Sequence, residues 1–148
     1  MLIRTHFIIT LCGILFLISY VEQKFVFVVV ALIATFIPDI DSRFSTLGHR
    51  YFARILQFFT KHRGVIHSFS FLFLITFLLV LFFPVLALGF FLGYGLHLFA
   101  DSFTKEGIEP FYPWKRKSRG FVSTGSKTET GIFVFFLILD LFLFLRLF

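Results

Sequence analysis

The sequence predicts an all-α protein, a multi-pass transmembrane helical bundle of four to five membrane helices. Hydrophobic residues make up 58% of the 148 residues and charged residues only 15%. The mean hydropathy of +0.95 is far above that of an ordinary soluble domain. The apolar residues fall into runs, and the basic residues lie almost entirely between these runs. A chain of this length fits a single integral membrane domain, 1–148.

The first two apolar runs, 7–20 and 25–37, predict a helical hairpin. A helix needs about 20 residues to cross a hydrocarbon core of roughly 30 Å. Each run reaches that length only if flanking residues join it, so an amphipathic or re-entrant hairpin is the alternative. The polar residues Glu22, Gln23 and Lys24 separate the runs, and we expect the turn there.

The three later runs, 68–83, 85–103 and 131–148, are the clearest membrane helices. The stretch from Ser68 to Phe103 is too long for one crossing and has no polar loop, but Pro84 divides it. Proline removes a helical hydrogen bond and clashes with the preceding turn. We therefore expect two helices joined by a very short turn. Gly89 and Gly93 form a GxxxG pattern that would let the second of them pack closely against a neighbour.

The distribution of Lys and Arg predicts the orientation of the chain. With the N-terminus inside, Arg4 contributes one of the 14 basic residues to the cytoplasmic side, the connection at about 39–67 contributes five, and the connection at about 104–130 contributes six. Cytoplasmic loops carry the excess of Lys and Arg in membrane proteins. We therefore expect an inner-membrane protein with both connections in the cytoplasm. This orientation accounts for the net charge of +6 without nucleic acid as a partner.

Several His and Asp residues fall near the same predicted membrane face. His97 and Asp101 are four residues apart, so they share one face of a helix. Asp39 and Asp41 follow Pro38 at the end of the second run. The other candidates are His62 and His67, before the third run, and His6, in the first. Asp140, in the last run, lies at the wrong depth to join them, so it is not a candidate ligand.

These residue types in this arrangement predict a metal site. Imidazole nitrogen and carboxylate oxygen are ligands of zinc, and catalytic zinc sites keep one position open for water. An ionisable residue at membrane depth is costly to insert, so we expect Asp101, near a helix end, to have a partner or a function that offsets this cost. We expect a divalent metal, zinc first, held by ligands among His6, Asp39, His62, His67, His97 and Asp101. The alternative is structural: Asp101 could cap its helix or pair with Arg63.

Four short strings in order, separated by membrane helices, carry a family resemblance. They are TH at 5–6, PDID at 38–41, HRGxxHS at 62–68 and HxxxD at 97–101, followed by PF and YP at 110–113. Together they resemble the YdjM-like family of membrane-bound proteins described as metal-dependent hydrolases. That family is distantly similar to zinc-dependent phospholipase C and P1 nuclease, helical enzymes whose His and Asp ligands activate water against a phosphoester.

The resemblance implies a ligand set for this chain. One metal would be held by Asp39, His62 or His67, His97 and Asp101, with His6 and Asp101 available to a second. The enzymes of the phospholipase C group supply further His and Glu ligands later in the chain, whereas no histidine follows His97 here. The resemblance therefore does not extend to a complete three-metal cluster.

Two functional hypotheses follow. The first is a metal-dependent hydrolase at the cytoplasmic membrane face, acting on a phosphoester, with membrane lipid as the natural source and Asp41 as the general base. The second is a non-enzymatic membrane protein that binds a regulatory partner or anionic lipid through its basic loops. A transporter is disfavoured, because the cluster lies at the surface of the membrane and no inverted repeat is visible.

Overall fold

The computed structural model describes residues 1–39, 63–114 and 116–147. Within these ranges the chain forms five long helices: α1 Ile3–Leu17, α2 Lys24–Phe36, α3 Phe69–Phe82, α4 Pro84–Ser102 and α5 Lys127–Arg146. Short helical turns at Ile18–Tyr20, Ile37–Asp39 and Arg63–Ile66 accompany them. The predicted all-helical membrane fold is confirmed for the described residues. Asp41 and His62 lie outside them.

The predicted N-terminal hairpin is present, and its first helix is longer than the apolar run alone. α1 begins at Ile3 and continues as a 3-10 turn to Tyr20, which gives a span of 18 residues. Val21 is extended, and α2 begins at Lys24, at the end of the predicted turn. α2 itself has only 13 residues. The N-terminal extension therefore provides the length that the first run lacked.

The helix break at Pro84 is confirmed. α3 ends at Phe82, Phe83 leaves the helical region with φ −143° and ψ 62°, and Pro84 is the first residue of α4. Proline is well placed there, because the first helical N–H has no partner within the helix. α3 has 14 residues, fewer than the 18-residue α1 span, the 19 of α4 or the 20 of α5. Among the described residues, three helices are candidate membrane spans by length and composition, and α3 is a shorter apolar helix.

α4 lies at the centre of the described bundle. It packs against α1, α2 and α3, while α5 packs chiefly against α1. Two glycines allow the closest approach, to α2: a Cβ atom on Gly89 would lie 2.9 Å from the carbonyl oxygen of Phe27, and one on Gly93 would lie 1.9 Å from that of Ala31. The GxxxG pattern therefore has the packing role that its spacing indicates.

The connection between α4 and α5 folds over the end of the bundle that carries the candidate metal-binding residues. Thr104 pairs with Val122 and Ile108 with Ser118 in isolated bridges. The backbone N–H of Phe69, at the start of α3, donates to the carbonyl of Pro110 at 2.8 Å. This hydrogen bond ties the loop to the segment that carries His67.

Candidate metal centre

His97 and Asp101 lie on the buried face of α4, one turn apart. The Nε2 atom of His97 is 3.4 Å from Oδ2 of Asp101. His97 is 1% exposed, whereas the Asp101 side chain keeps some contact with solvent. The spacing of four residues therefore brings the two side chains together, as the sequence predicted.

Asp39 and His67 approach the same point from two other parts of the chain. Asp39 ends the 3-10 turn that follows α2, and its Oδ1 atom is 3.8 Å from Nε2 of both His97 and His67. Asp39, His67, His97 and Asp101 each offer one ligand atom, and these four atoms all lie within 4.8 Å of one another. The four residues, called the ligand cluster below, could hold a metal ion.

His6 extends the ligand cluster on the α1 side. Its ring stacks on that of His97, with centroids 4.0 Å apart and planes 11° from parallel. Its Nε2 atom lies 3.2 Å from Oδ1 of Asp101. His6 therefore contacts one carboxylate oxygen of Asp101 while His97 faces the other. This arrangement fixes the orientation of the Asp101 carboxylate.

The distances in the ligand cluster suit an ion better than hydrogen bonds. An N–H···O hydrogen bond spans about 2.7 to 3.2 Å, and the His97 to Asp101 and His97 to Asp39 separations exceed that. A tetrahedral ion with bonds of about 2.0 to 2.2 Å keeps its ligand atoms about 3.3 to 3.6 Å apart. The 3.4 Å separation of His97 from Asp101 lies within that range, and the 3.8 Å separations of Asp39 from His67 and His97 lie slightly above it.

The imidazole of His97 also lacks hydrogen bonds. Neither of its ring nitrogens makes one within the described residues, although both atoms are buried. An unpartnered buried polar group costs free energy, so native structures satisfy nearly all of them. A bound cation would satisfy the nitrogen that faces the carboxylates. The donor set could therefore hold a divalent metal ion.

The Asp39 carboxyl is in the right ionisation state to be a ligand. Burial alone would raise its pKa, but the imidazoles of His67 and His97 outweigh burial and hold the pKa of Asp39 below its usual value. A carboxyl group must be deprotonated to bind a metal. At neutral pH this requirement is met.

The position of His67 is fixed by contacts on both sides of it. The hydroxyl of Tyr94, on α4, donates to the carbonyl of Ile66 at 2.5 Å. Ser68 caps α3 by accepting a hydrogen bond from the N–H of Phe71 at 3.2 Å. These contacts attach the short connection to α4 next to His97.

The ligand cluster opens onto a cavity of about 570 Å³. Asp39, His67 and Asp101 line it from the bundle side, and Glu106, Glu109 and Lys117 line it from the α4–α5 connection. This volume lies within the range of small-molecule sites, about 300 to 1,000 Å³. The ligand cluster is therefore reachable by a small polar group.

Of the residues predicted from the sequence, the structure brings together His6, Asp39, His67, His97 and Asp101. Asp140 is buried in α5, outside the cluster, as expected. His62 and Asp41 belong to the part of the chain that is not described, so their predicted roles stay predictions. The cavity residues Glu106, Glu109 and Lys117 were not predicted from the sequence, because the loop that carries them has no periodicity.

Fold and site together define a class: a multi-pass membrane protein with a His/Asp cluster at one end of its helices that could hold a metal ion. The family is shown by a direct comparison. The model of the YdjM inner membrane protein family matches residues 1–147, and the chain belongs to this family. No curated protein and no solved structure matches it.

Proposed function

We propose that this protein is a metal-dependent hydrolase of the inner membrane that acts on a phosphoester, favoured to be a lipid phosphoester. The observation that carries the proposal is the ligand cluster, in which four ligand atoms from three parts of the chain lie within 4.8 Å of one another. The buried, unpartnered nitrogens of His97 support it. A purely structural cluster would be expected to satisfy them.

The ligand cluster and His6 would have different roles in metal binding. Asp39, His67, His97 and Asp101 would be its ligands, and His6 would position Asp101 through the 3.2 Å contact to Oδ1. Two imidazoles and two carboxylates favour zinc among the common divalent metals. With these four residues as ligands, zinc would have to take a water as a fifth ligand, and it would then polarise a phosphoester and lower the pKa of that water to about 7.

Lys117 lines the cavity and would pair with a phosphate group. Because Glu106 and Glu109 line the same cavity, the bound metal would have to supply the rest of the positive charge. The choice of a phosphoester also rests on the resemblance to phospholipase C and P1 nuclease, which stays a prediction. Asp41 is kept as the proposed general base. The excess of Lys and Arg in the predicted connections supports a cytoplasmic orientation of the site.

Elemental analysis of the protein purified in detergent without chelator tests the metal. We expect the wild type to retain zinc in a fixed ratio to the chain, and the double variant His97→Ala, Asp101→Ala to retain none. Asp39→Asn keeps the side-chain shape and removes the charge, so it separates loss of a ligand from misfolding. Asp140→Asn is the matched control, because Asp140 is a buried carboxyl outside the ligand cluster. Zinc content equal in all variants would refute the metal site.

Hydrolysis is measured on the same preparations. The probes are phosphatidylglycerol in vesicles and bis(4-nitrophenyl) phosphate in solution. We expect turnover that stops on chelation, returns with zinc and is lost in Asp39→Asn and in the double variant. If the zinc-loaded wild type hydrolysed neither probe, the phosphoester assignment would be overturned, and the protein would be a metal-binding membrane protein without this activity.

A further inference from the structure

A second cavity, separate from the polar one, lies between α1, α4 and α5. Its volume is about 610 Å³ and its lining is apolar throughout. Cys12 and Phe16 come from α1, Phe99 and Ala100 from α4, and Leu139 and Leu143 from α5. We call this cavity the apolar groove. No residue of the ligand cluster lines it.

The apolar groove arises from the way in which the three helices pack. α4 and α5 each pack against α1 but have few contacts with one another. The approach of α1 to α4 is close at Gly13, where a Cβ atom would lie 2.7 Å from Cδ1 of Leu96. α1 therefore forms the floor of the apolar groove, with α4 and α5 as its two walls.

The length of the apolar groove suits one acyl chain. On α5 it is lined by Ile132, Phe136, Leu139 and Leu143, which share one helical face. At a rise of 1.5 Å per residue, the distance from Ile132 to Leu143 is about 16 Å. One leaflet of a bilayer with a hydrocarbon core of roughly 30 Å is about 15 Å deep. The apolar groove therefore extends over the depth that an acyl chain occupies.

One end of the apolar groove meets the polar cavity. Met1 lines both cavities. At the C-terminal end of α4 the groove is lined by Ala100 and Phe103, the neighbours of Asp101 and Thr104, which line the polar cavity. A ligand that filled both would have a polar group beside the ligand cluster and an apolar chain along α5. A membrane lipid has this form.

We propose that the apolar groove holds one acyl chain of a membrane lipid whose phosphate group reaches the polar cavity and the ligand cluster. The part concerning the phosphate rests on the proposed function. The acyl chain is held by burial of its methylene groups against the lining residues, a force that does not depend on the metal. The lipid would enter sideways from the bilayer, between α4 and α5.

Photolabelling tests the proposal without relying on activity. The wild type is reconstituted in vesicles with increasing fractions of a phosphatidylglycerol that carries a diazirine in one acyl chain. Trypsin cleaves after Lys127 and Arg146, so α5 is released almost whole and fragmentation locates the label. We expect labelling of the groove-facing side, Ile132, Phe136, Leu139 and Leu143, to saturate. Labelling of the exposed residues Phe135, Ile138 and Leu141 should rise in proportion to the probe.

Two further experiments test the orientation of the acyl chain and its position in the apolar groove. A diazirine near the glycerol should label near Ile132 and one at the chain end near Leu143, because the phosphate is placed at the cluster end. Leu139→Trp should lower saturable labelling about tenfold by filling the space of the chain. The same change at Leu141, which is 60% exposed, is the matched control and should leave it unchanged.

The outcomes separate this inference from the proposed function. Saturable groove labelling that persists with chelator, in a protein without hydrolase activity, would support the acyl site and refute the hydrolase. Groove labelling that only follows the probe fraction, like that of the exposed face, would refute the acyl site whether or not the protein binds zinc. A groove covered by a second copy or by another part of this chain would give no labelling there, which also refutes it.

Discussion

α4 and α5 are similar in length and are both apolar enough to cross a membrane, yet their surroundings differ. α4, with 19 residues, buries eight of them, including His97, whereas α5, with 20, buries only Glu129 and Asp140. Hydropathy therefore identifies the spans but does not say which one is central. The centre is marked by small residues that admit a neighbouring backbone and by polar residues that need partners. The peripheral helix instead presents Phe and Leu to the lipid.

Identical glycine substitutions in the two helices give the largest expected contrast. Gly93→Ala places a Cβ atom 1.9 Å from the carbonyl oxygen of Ala31, so α4 must move away from α2. We expect a loss of about 3 kcal/mol or more in the free energy of unfolding, at the upper end for overpacking. Zinc retention should fall as well, because the shift separates His97 from Asp39.

Gly131→Ala, in α5, is the control for that change. A Cβ atom there meets nothing within 4 Å, and alanine favours a helix over glycine by up to about 1 kcal/mol. Unfolding in detergent, followed by circular dichroism, measures both variants. Equal stabilities for Gly93→Ala and Gly131→Ala would show that the close contact of α2 and α4 does not hold the bundle together.

A smaller effect is expected where α5 is joined to α1. The carboxylate of Glu129 accepts hydrogen bonds from the backbone N–H groups of Leu2 at 2.5 Å and Gly125 at 2.6 Å. Glu129→Gln keeps the length of the side chain but replaces one acceptor oxygen with a donor. We expect a loss of about 1.5 kcal/mol in unfolding free energy, since hydrogen bonds to charged groups contribute about 1.5 to 3 kcal/mol.

Glu22→Gln makes the same chemical change at an exposed residue before α2 and should have no measurable effect. Zinc content adds a second measurement. Because α5 contributes no member of the ligand cluster, Glu129→Gln should reduce zinc retention less than Gly93→Ala does. The reverse order would mean that α5, and not α4, controls the geometry of the site.

Much of the geometry of the candidate site was predictable because the residues of the ligand cluster lie in local sequence patterns. The spacing of His97 and Asp101 fixes their common face on any helix, and Pro84 fixes where that helix begins. The runs of apolar residues place Asp39 and His67 at the same membrane face. Local patterns do not determine how helices rotate against each other. The stacking of His6 on His97 and the contact of Tyr94 with Ile66 depend on that rotation, so the sequence could not predict them.

In the fold as well, local sequence patterns predicted some features, whereas others depend on tertiary contacts. The apolar runs predicted that the helices exist, but the first and last residue of each helix depend on the residues that flank the run. α1 therefore begins earlier than its run, at Ile3, and α3 ends at Phe82. The loop between α4 and α5 was expected only as a polar connection. Its contribution to the cavity comes from tertiary hydrogen bonds, such as that from Phe69 to Pro110, which leave no periodic signal.

The smallest expected effect concerns the threonine pair between α1 and α2, beside the central helix. The hydroxyl of Thr35 lies 2.9 Å from that of Thr10 and donates to the carbonyl of Ala31 at 2.8 Å. Thr35→Val keeps the shape and removes the hydroxyl. We expect a loss of about 0.6 kcal/mol, the average for hydrogen bonds between membrane helices.

Thr76→Val, in α3, is the matched control, because the buried hydroxyl of Thr76 has no hydrogen-bond partner within the described residues. Removing an unpartnered buried hydroxyl should leave stability unchanged or raise it slightly. Combining Thr35→Val with Thr10→Val gives the coupling energy between the two hydroxyls from unfolding free energies. If that coupling exceeded the cost of Gly93→Ala, hydrogen bonding and not close packing would hold the helices around the ligand cluster, and the contrast between α4 and α5 would need another cause.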